Sequence, residues 1–297
     1  MSDAKFDTAL LDRLKRLSTK GHYDPYTRFN WPAQIDRSVM WCDEDLLTTY
    51  GTAIHDGMSK EQIIALSQWE CINFFSLNVH GIKDALKFVV RCMYEKRYVN
   101  ITEYLHIFMA EENAHMWFFA KFCLDYADRI YPNVPLPHNS IENPIERDLY
   151  TFASTLIFEE YVDFYNHKVG ENPSVPEIVR EVNHQHHIDE SRHISFGRDV
   201  VKILFNDLTA SDPSGAAADR VQYMLSRIFQ YFIGLMYNTR AYEDAGIVQS
   251  TGMPNAATLR NKLRKSPERV EYHEQWFKRT AIFFQRQGML TDMSCLN

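Results

Sequence analysis

Between Asn183 and His193 the sequence runs Asn-His-Gln-His-His-Ile-Asp-Glu-Ser-Arg-His. His186, His187, Asp189, Glu190 and His193 thus crowd into one short stretch that contains no Gly or Pro. At about 100° per residue of helix, His186, Glu190 and His193 fall within roughly 60° of arc. Two imidazoles and a carboxylate converging from one helix face form a metal-ligand arrangement. The plainer alternative is a solvated charged face. A second pattern weighs against it: Glu112 and His115 repeat the Glu-x-x-His spacing of Glu190 and His193. One such pair is commonplace on charged helices. Two on separate helices, with a carboxylate from each remaining helix, make the ligand plan of a dinuclear carboxylate bundle. Carboxylates suit hard ferrous and ferric ions and bridge two of them, while imidazoles fix position and tune potential.

Such a plan requires four long helices, and the punctuation supplies them. Ser59 and Gln62 have capping-box spacing, and helical periodicity then runs to about 94–97. A second helix covers about 100–131 and is stopped by the run Pro132 to Pro137; a third covers 145–169, and a fourth 177–208. Ser211-Asp212-Pro213-Ser214-Gly215 breaks the chain before a fifth helix over 217–245, and Ser266-Pro267 opens a last one to about 287. No period-2 segment, repeat array or low-complexity tract appears. The expected fold is all-α, a four-helix bundle with additional C-terminal helices. One domain is expected over 1–297: an N-terminal arm (1–58), the ligand-bearing bundle (59–208) and accessory helices (209–297).

The third helix offers Glu159 and Glu160 among apolar neighbours, and an unpartnered buried carboxylate is costly, so one of them is expected to bind metal. The first helix is less decisive. Glu70, Asn73, His80 and Asp84 share one seam, at different heights. Matching distances from the turn near 97–100 favours Asp84 opposite Glu112, with His80 one turn farther away as its rival and Glu70 too distant. Asp189 and Asp163 are candidates to orient ligating imidazoles. Arg192 and Arg198 are candidate anchors for a substrate carboxylate, while His184 and His187 point off the ligand face. Trp117, Phe118, Phe119 and the apolar run 228–233 are candidate pocket walls or core; that run is apolar around most of the helix, so it is central or covered by a second subunit.

The 297 residues include only 11 Gly and 11 Pro, with 45% hydrophobic side chains, and carry a formal net charge of −7. This argues against an all-β or disordered chain and against a nucleic-acid partner. No apolar run of membrane-spanning length is present, and Met1-Ser2-Asp3-Ala4-Lys5 has no apolar signal character. Five scattered cysteines without a Cys-x-x-Cys pair read as reduced thiols, so a cytoplasmic location is expected.

These residues resemble the ferritin-like di-iron N-oxygenases, the group of aminobenzoate N-oxygenase and the chloramphenicol-pathway arylamine oxygenase. That family carries an extra histidine on its last ligand helix, His-x-x-x-Glu-x-x-His, which matches His186, Glu190 and His193. Its first Glu-x-x-His matches Glu112 and His115, and its third-helix glutamate is matched best by Glu160. Its first-helix glutamate has no clear counterpart; Asp84 is similar only in chemistry, and the connection from first to second helix is shorter here. The resemblance covers about 60–210. It implies two iron ions, O2 as co-substrate and oxidation of an amine nitrogen to the hydroxylamine, nitroso or nitro level. The amine is expected to be small, free or carrier-bound. No flavin or nicotinamide motif is visible, so electrons are expected from a separate reductase or a small reductant; a homodimer is also expected. The rivals are a hydroxylase, desaturase or C–C cleaving enzyme on the same fold, and, outside enzymes, metal storage or sensing.

Overall fold

The computed structural model describes residues 6–136 and 141–297. The N-terminal pentapeptide and Pro137, at the end of the expected proline stop, lie outside the described residues. The regular structure of the described residues is helical, with eleven α-helices among them: α1 Thr8–Gly21, α2 Ala53–Asp56, α3 Lys60–Cys92, α4 Thr102–Ala127, α5 Pro144–Gly170, α6 Glu177–Ala210, α7 Ala216–Met236, α8 Thr239–Asp244, α9 Ile247–Ser250, α10 Ala256–Arg264 and α11 Pro267–Arg286.

α3 to α6 are the four bundle helices. Ser59 opens α3 with a complete capping box: its hydroxyl accepts from Gln62 N while the Gln62 side chain accepts from Ser59 N. α4 ends where Asp128 turns left-handed (φ 52°), several residues before the proline run expected to stop it. Asn143 caps α5 through Ile145 N and Glu146 N, with Pro144 in the first turn. Ring contacts fix the registers. Phe75 meets Phe119, and Tyr94 meets His106, so α3 and α4 are antiparallel. Phe74 on Tyr165 and Phe88 on Phe152 make α3 and α5 antiparallel. His115 beside His186 and Tyr104 beside Phe196 do the same for α4 and α6. α5 and α6 pack along their length, and at their turn a Cβ on Gly170 would lie 2.9 Å from the His184 backbone.

The arm expected over 1–58 contains α1, capped by Asp7, and the short α2. Its aromatics pack on the bundle, as where Trp41 sits edge-on against Phe122. The fifth helix expected over 217–245 needs correction: it is two, α7 and α8, because the chain turns at Tyr237, while Gly246, with a positive φ of 68°, ends α8 before the short α9. α7 needs no partner subunit to cover its apolar faces. Phe232 stacks on Phe158 of α5, and Phe229 packs against Phe277 and Phe284 of α11.

Candidate metal centre

Glu112 and His115 sit on the inner face of α4, and Glu190 and His193 on that of α6; all four are buried. Each offers a ligand atom within 4.8 Å of every other, a set fit to hold a metal ion. Glu190 divides the centre. Its Oε1 lies 2.7 Å from His186 Nε2 and 3.6 Å from His115 Nδ1, while its Oε2 lies 3.4 Å from His193 Nδ1. Glu112 Oε1 is 2.7 Å from His193 Nδ1 and 3.6 Å from His115 Nδ1. Both carboxylates therefore stand between two positions, one beside His115 and His186, the other beside His193.

The fit to metal ions rests on which atoms lack partners. His115 Nδ1, His186 Nε2, His193 Nδ1, Glu112 Oε1 and Glu190 Oε2 are all buried, and none has a hydrogen-bond partner. Glu112 Oε1 and His193 Nδ1 lie 2.7 Å apart, and His186 Nε2 lies 2.7 Å from Glu190 Oε1. Lone pairs converging in this way cost free energy unless a cation lies among them. The far nitrogen of each ring, by contrast, is held. His115 Nε2 lies 3.2 Å from Asp189 Oδ2, His193 Nε2 lies 2.9 Å from Glu111 Oε2, and His186 Nδ1 lies 2.5 Å from the Asn166 carboxamide. The Asn166 Oδ1 is itself unpartnered; exchanging the two isosteric ends of the amide lets it accept from Nδ1–H and frees Nε2 for a metal. Outer partners of this kind fix tautomer and orientation in metal-binding imidazoles.

The electrostatics agree. Burial tends to lower the His115 and His193 pKa values, but the hydrogen bond that His115 donates to Asp189, and the charges of Glu190 and Glu112 around His193, outweigh it. His115 is raised to about 9, and His193 well above its ordinary value. The carboxylates draw positive charge into the interior, the role a metal ion fills. Arg192 closes the outer ring, its Nη2 donating to Glu111 at 2.6 Å and to Asp189 at 2.7 Å. Tyr23 from the arm donates to Asp189 at 3.0 Å. Phe108, Phe118 and Phe119 pack on the ligating rings.

Several expected residues lie elsewhere. Glu160 is not at the centre: Arg198 donates to it twice, at 2.7 and 2.8 Å. Glu159 faces inward instead. Its pKa is pushed well up by burial first and then by the charges of Glu190, Glu112 and Glu160, against the pull of His193. Asp84 is also displaced from its expected place; more than half exposed, it pairs with Lys87 at 2.9 Å. The rival, His80, is spent on the Tyr131 carbonyl at 2.7 Å. Asp163 pairs with His187 at 2.6 Å and with Arg279 at 3.4 Å, behind none of the three inward imidazoles. Arg198 and Arg192 are both committed to carboxylates rather than open to a substrate. Glu111 and Asn166 were not anticipated. Asn166 had a signal, since it lies seven residues after Glu159 and so on the same helical face; Glu111 had none beyond adjacency to Glu112.

A cavity of about 660 Å³ opens against the centre, reaching Glu112, Glu159, His186 and Glu190. Its walls are largely apolar, including Leu77, Phe158, Val162, Phe232 and Leu235. That size suits a small organic molecule.

An antiparallel helical bundle with a buried Glu/His di-metal site defines a ferritin-like metal-dependent oxidoreductase. The chain belongs to the p-aminobenzoate N-oxygenase family, whose profile matches residues 5–288. Similar solved structures are R2-like ligand-binding oxidases. A tyrosine-to-phenylalanine variant with aerobically reconstituted Mn/Fe cofactor matches at 13% identity and TM-score 0.51, over 96% of this chain and 94% of that one. A glutamate-to-aspartate variant gives 13% and 0.50 over 96% and 94%. The protein after a long soak gives 12% and 0.51 over 96% and 93%. At these identities the likeness is one of fold. No curated protein matches the sequence. No helix among the described residues is long and apolar enough to cross a membrane.

Proposed function

We propose that this protein is a di-iron oxygenase that oxidises the nitrogen of a small amine held in the 660 Å³ cavity. The observation that carries the reading is the third imidazole. His186 brings a further inward nitrogen to a centre already holding the two Glu-x-x-His pairs, and membership of the N-oxygenase family supports the choice of nitrogen. Bound there, two redox-active ions supply the activation of O2. Glu112 and Glu190 would bridge the two positions; His115 and His186 would hold one ion, His193 and Glu159 the other. Asp189, Glu111 and Asn166 hold the outward nitrogens and so orient the rings with their inward nitrogens toward the two positions. Phe108, Phe118 and Phe119 keep water off the imidazoles, while Phe158, Val162 and Phe232 present an apolar wall that orients a substrate ring or chain. Electrons would come from a separate reductase or small reductant.

The test is product analysis with ¹⁸O2 on a panel of aryl and alkyl amines, using iron-loaded protein and a chemical reductant. Label in a hydroxylamine, nitroso or nitro product is the expected result. Label on carbon with the amine intact would overturn the reading in favour of a hydroxylase.

A further inference from the structure

The bundle plan calls for a carboxylate from each helix that lacks a Glu-x-x-His pair, and α5 provides Glu159. α3 does not match it. Glu70 lies in another part of the interior, where it accepts from Thr48 N at 3.0 Å. Asp84 is half exposed on Lys87. The polar α3 side chains that line the cavity are Asn78, His80, Asp84, Lys87 and Arg91. His80 is held by the Tyr131 carbonyl, Asp84 pairs with Lys87 and Arg91 with Asp148. Asn78 is the fully buried one, 1% exposed, its Nδ2 donating to the Phe74 carbonyl at 2.9 Å. Its level in the bundle is fixed by two contacts. Phe74, one turn earlier, stacks on Tyr165, and Gly81, one turn later, abuts the Phe158 ring next to Glu159.

We propose that α3 supplies no carboxylate to the metal pair, Asn78 occupying its wall, so that the two positions are unequal: the ion beside His115 and His186 is held more weakly than the ion beside His193 and Glu159. This rests on the di-metal reading above. The His193 position has a carboxylate of its own in Glu159 and shares Glu112 and Glu190. The His115 and His186 position has only the shared pair, completed by two imidazoles that bring no negative charge of their own. A hard divalent ion prefers carboxylate oxygen. Three carboxylates also leave one positive charge of two divalent ions uncompensated in a dry interior, and the carboxylate-poor position bears that deficit.

Mn²⁺ is the probe, titrated into metal-free protein with the free ion followed by electron paramagnetic resonance. Two ions per chain are expected, in steps separated by at least about tenfold in affinity. His186→Ala should abolish the weaker step. Asn78→Glu should tighten it at least about tenfold, and Asp84→Asn should leave both steps unchanged. Equal affinities in the unaltered protein, or loss of an ion in Asp84→Asn, would overturn the proposal. So would an unchanged weaker step in an Asn78→Glu protein with native circular dichroism. Failure of the underlying reading looks different: Glu112→Ala would then bind manganese as the unaltered protein does.

Discussion

At the scale of the residue, neighbouring glutamates on α5 have opposite tasks. Glu159 is buried among other carboxylates, and a cation is the natural relief for its raised pKa. Glu160 is already neutralised by the two hydrogen bonds from Arg198. Glu159→Gln is therefore expected to lose metal from the His193 side and to cut O2 consumption by at least about tenfold. Glu160→Gln should keep its metal and lose about 1–2 kcal/mol of stability as Arg198 gives up a charge-assisted pair. Metal analysis and thermal melting of the two variants check this. A Glu160→Gln protein short of metal would reverse the assignment. The sequence alone could not separate the two, since both have apolar neighbours. Only the i, i+7 relation of Glu159 to Asn166 distinguishes their faces, and that matters only once Asn166 is known to meet His186. The two Glu-x-x-His pairs and His186, by contrast, were legible from spacing, because one continuous helix fixes their relative directions.

At the scale of the element, the centre depends on how closely α3 approaches α5. A Cβ built on Gly81 would lie 2.7 Å from Phe158 Cε1, so a hydrogen there is what lets the helices close beside Glu159. Gly81→Ala gains helix propensity of about 1 kcal/mol but forces the Phe158 ring aside, at about 1–3 kcal/mol. A net loss of stability is expected, together with weaker metal binding, because Phe158 precedes a proposed ligand. Adding Phe158→Leu to Gly81→Ala should recover much of both. Urea denaturation and metal titration of the three proteins test this; equal metal binding in Gly81→Ala would show that the packing does not position Glu159. The long helices were readable from punctuation such as the Ser59–Gln62 capping box and the Ser211–Gly215 break. Helix height was readable as well: the Phe75–Phe119 and Tyr94–His106 contacts put Asp84 about level with Glu112, as counting from the turn expects. What spacing did not give is the rotation of α3 about its axis, which turns Asp84 outward to Lys87.

At the scale of the whole molecule, one buried carboxylate joins the arm, the bundle and the C-terminal helices. Glu70 of α3 accepts from Thr48 N and from the Thr48 hydroxyl, which is in turn 2.8 Å from Tyr242 of α8. Burial, only partly offset by Thr48 and Arg269, raises the Glu70 pKa from 4.5 to about 7. The folded state thus binds this proton more tightly than the unfolded chain does. Its contribution is full below pH 4.5, falls as pH rises toward about 7, and is gone above that. The loss across this window is at most about 3 kcal/mol. Glu70→Gln keeps the shape and an acceptor for Thr48 N but has no charge to bury. Relative to the unaltered protein, it should gain stability progressively between pH 5 and pH 8. Urea unfolding of both proteins without metal, at several pH values, reads the difference directly and cancels every other titrating group they share. A pH-independent difference would mean that Glu70 stays ionised in the fold, with Arg269 outweighing burial, and that the tie between arm and bundle is an ionic one.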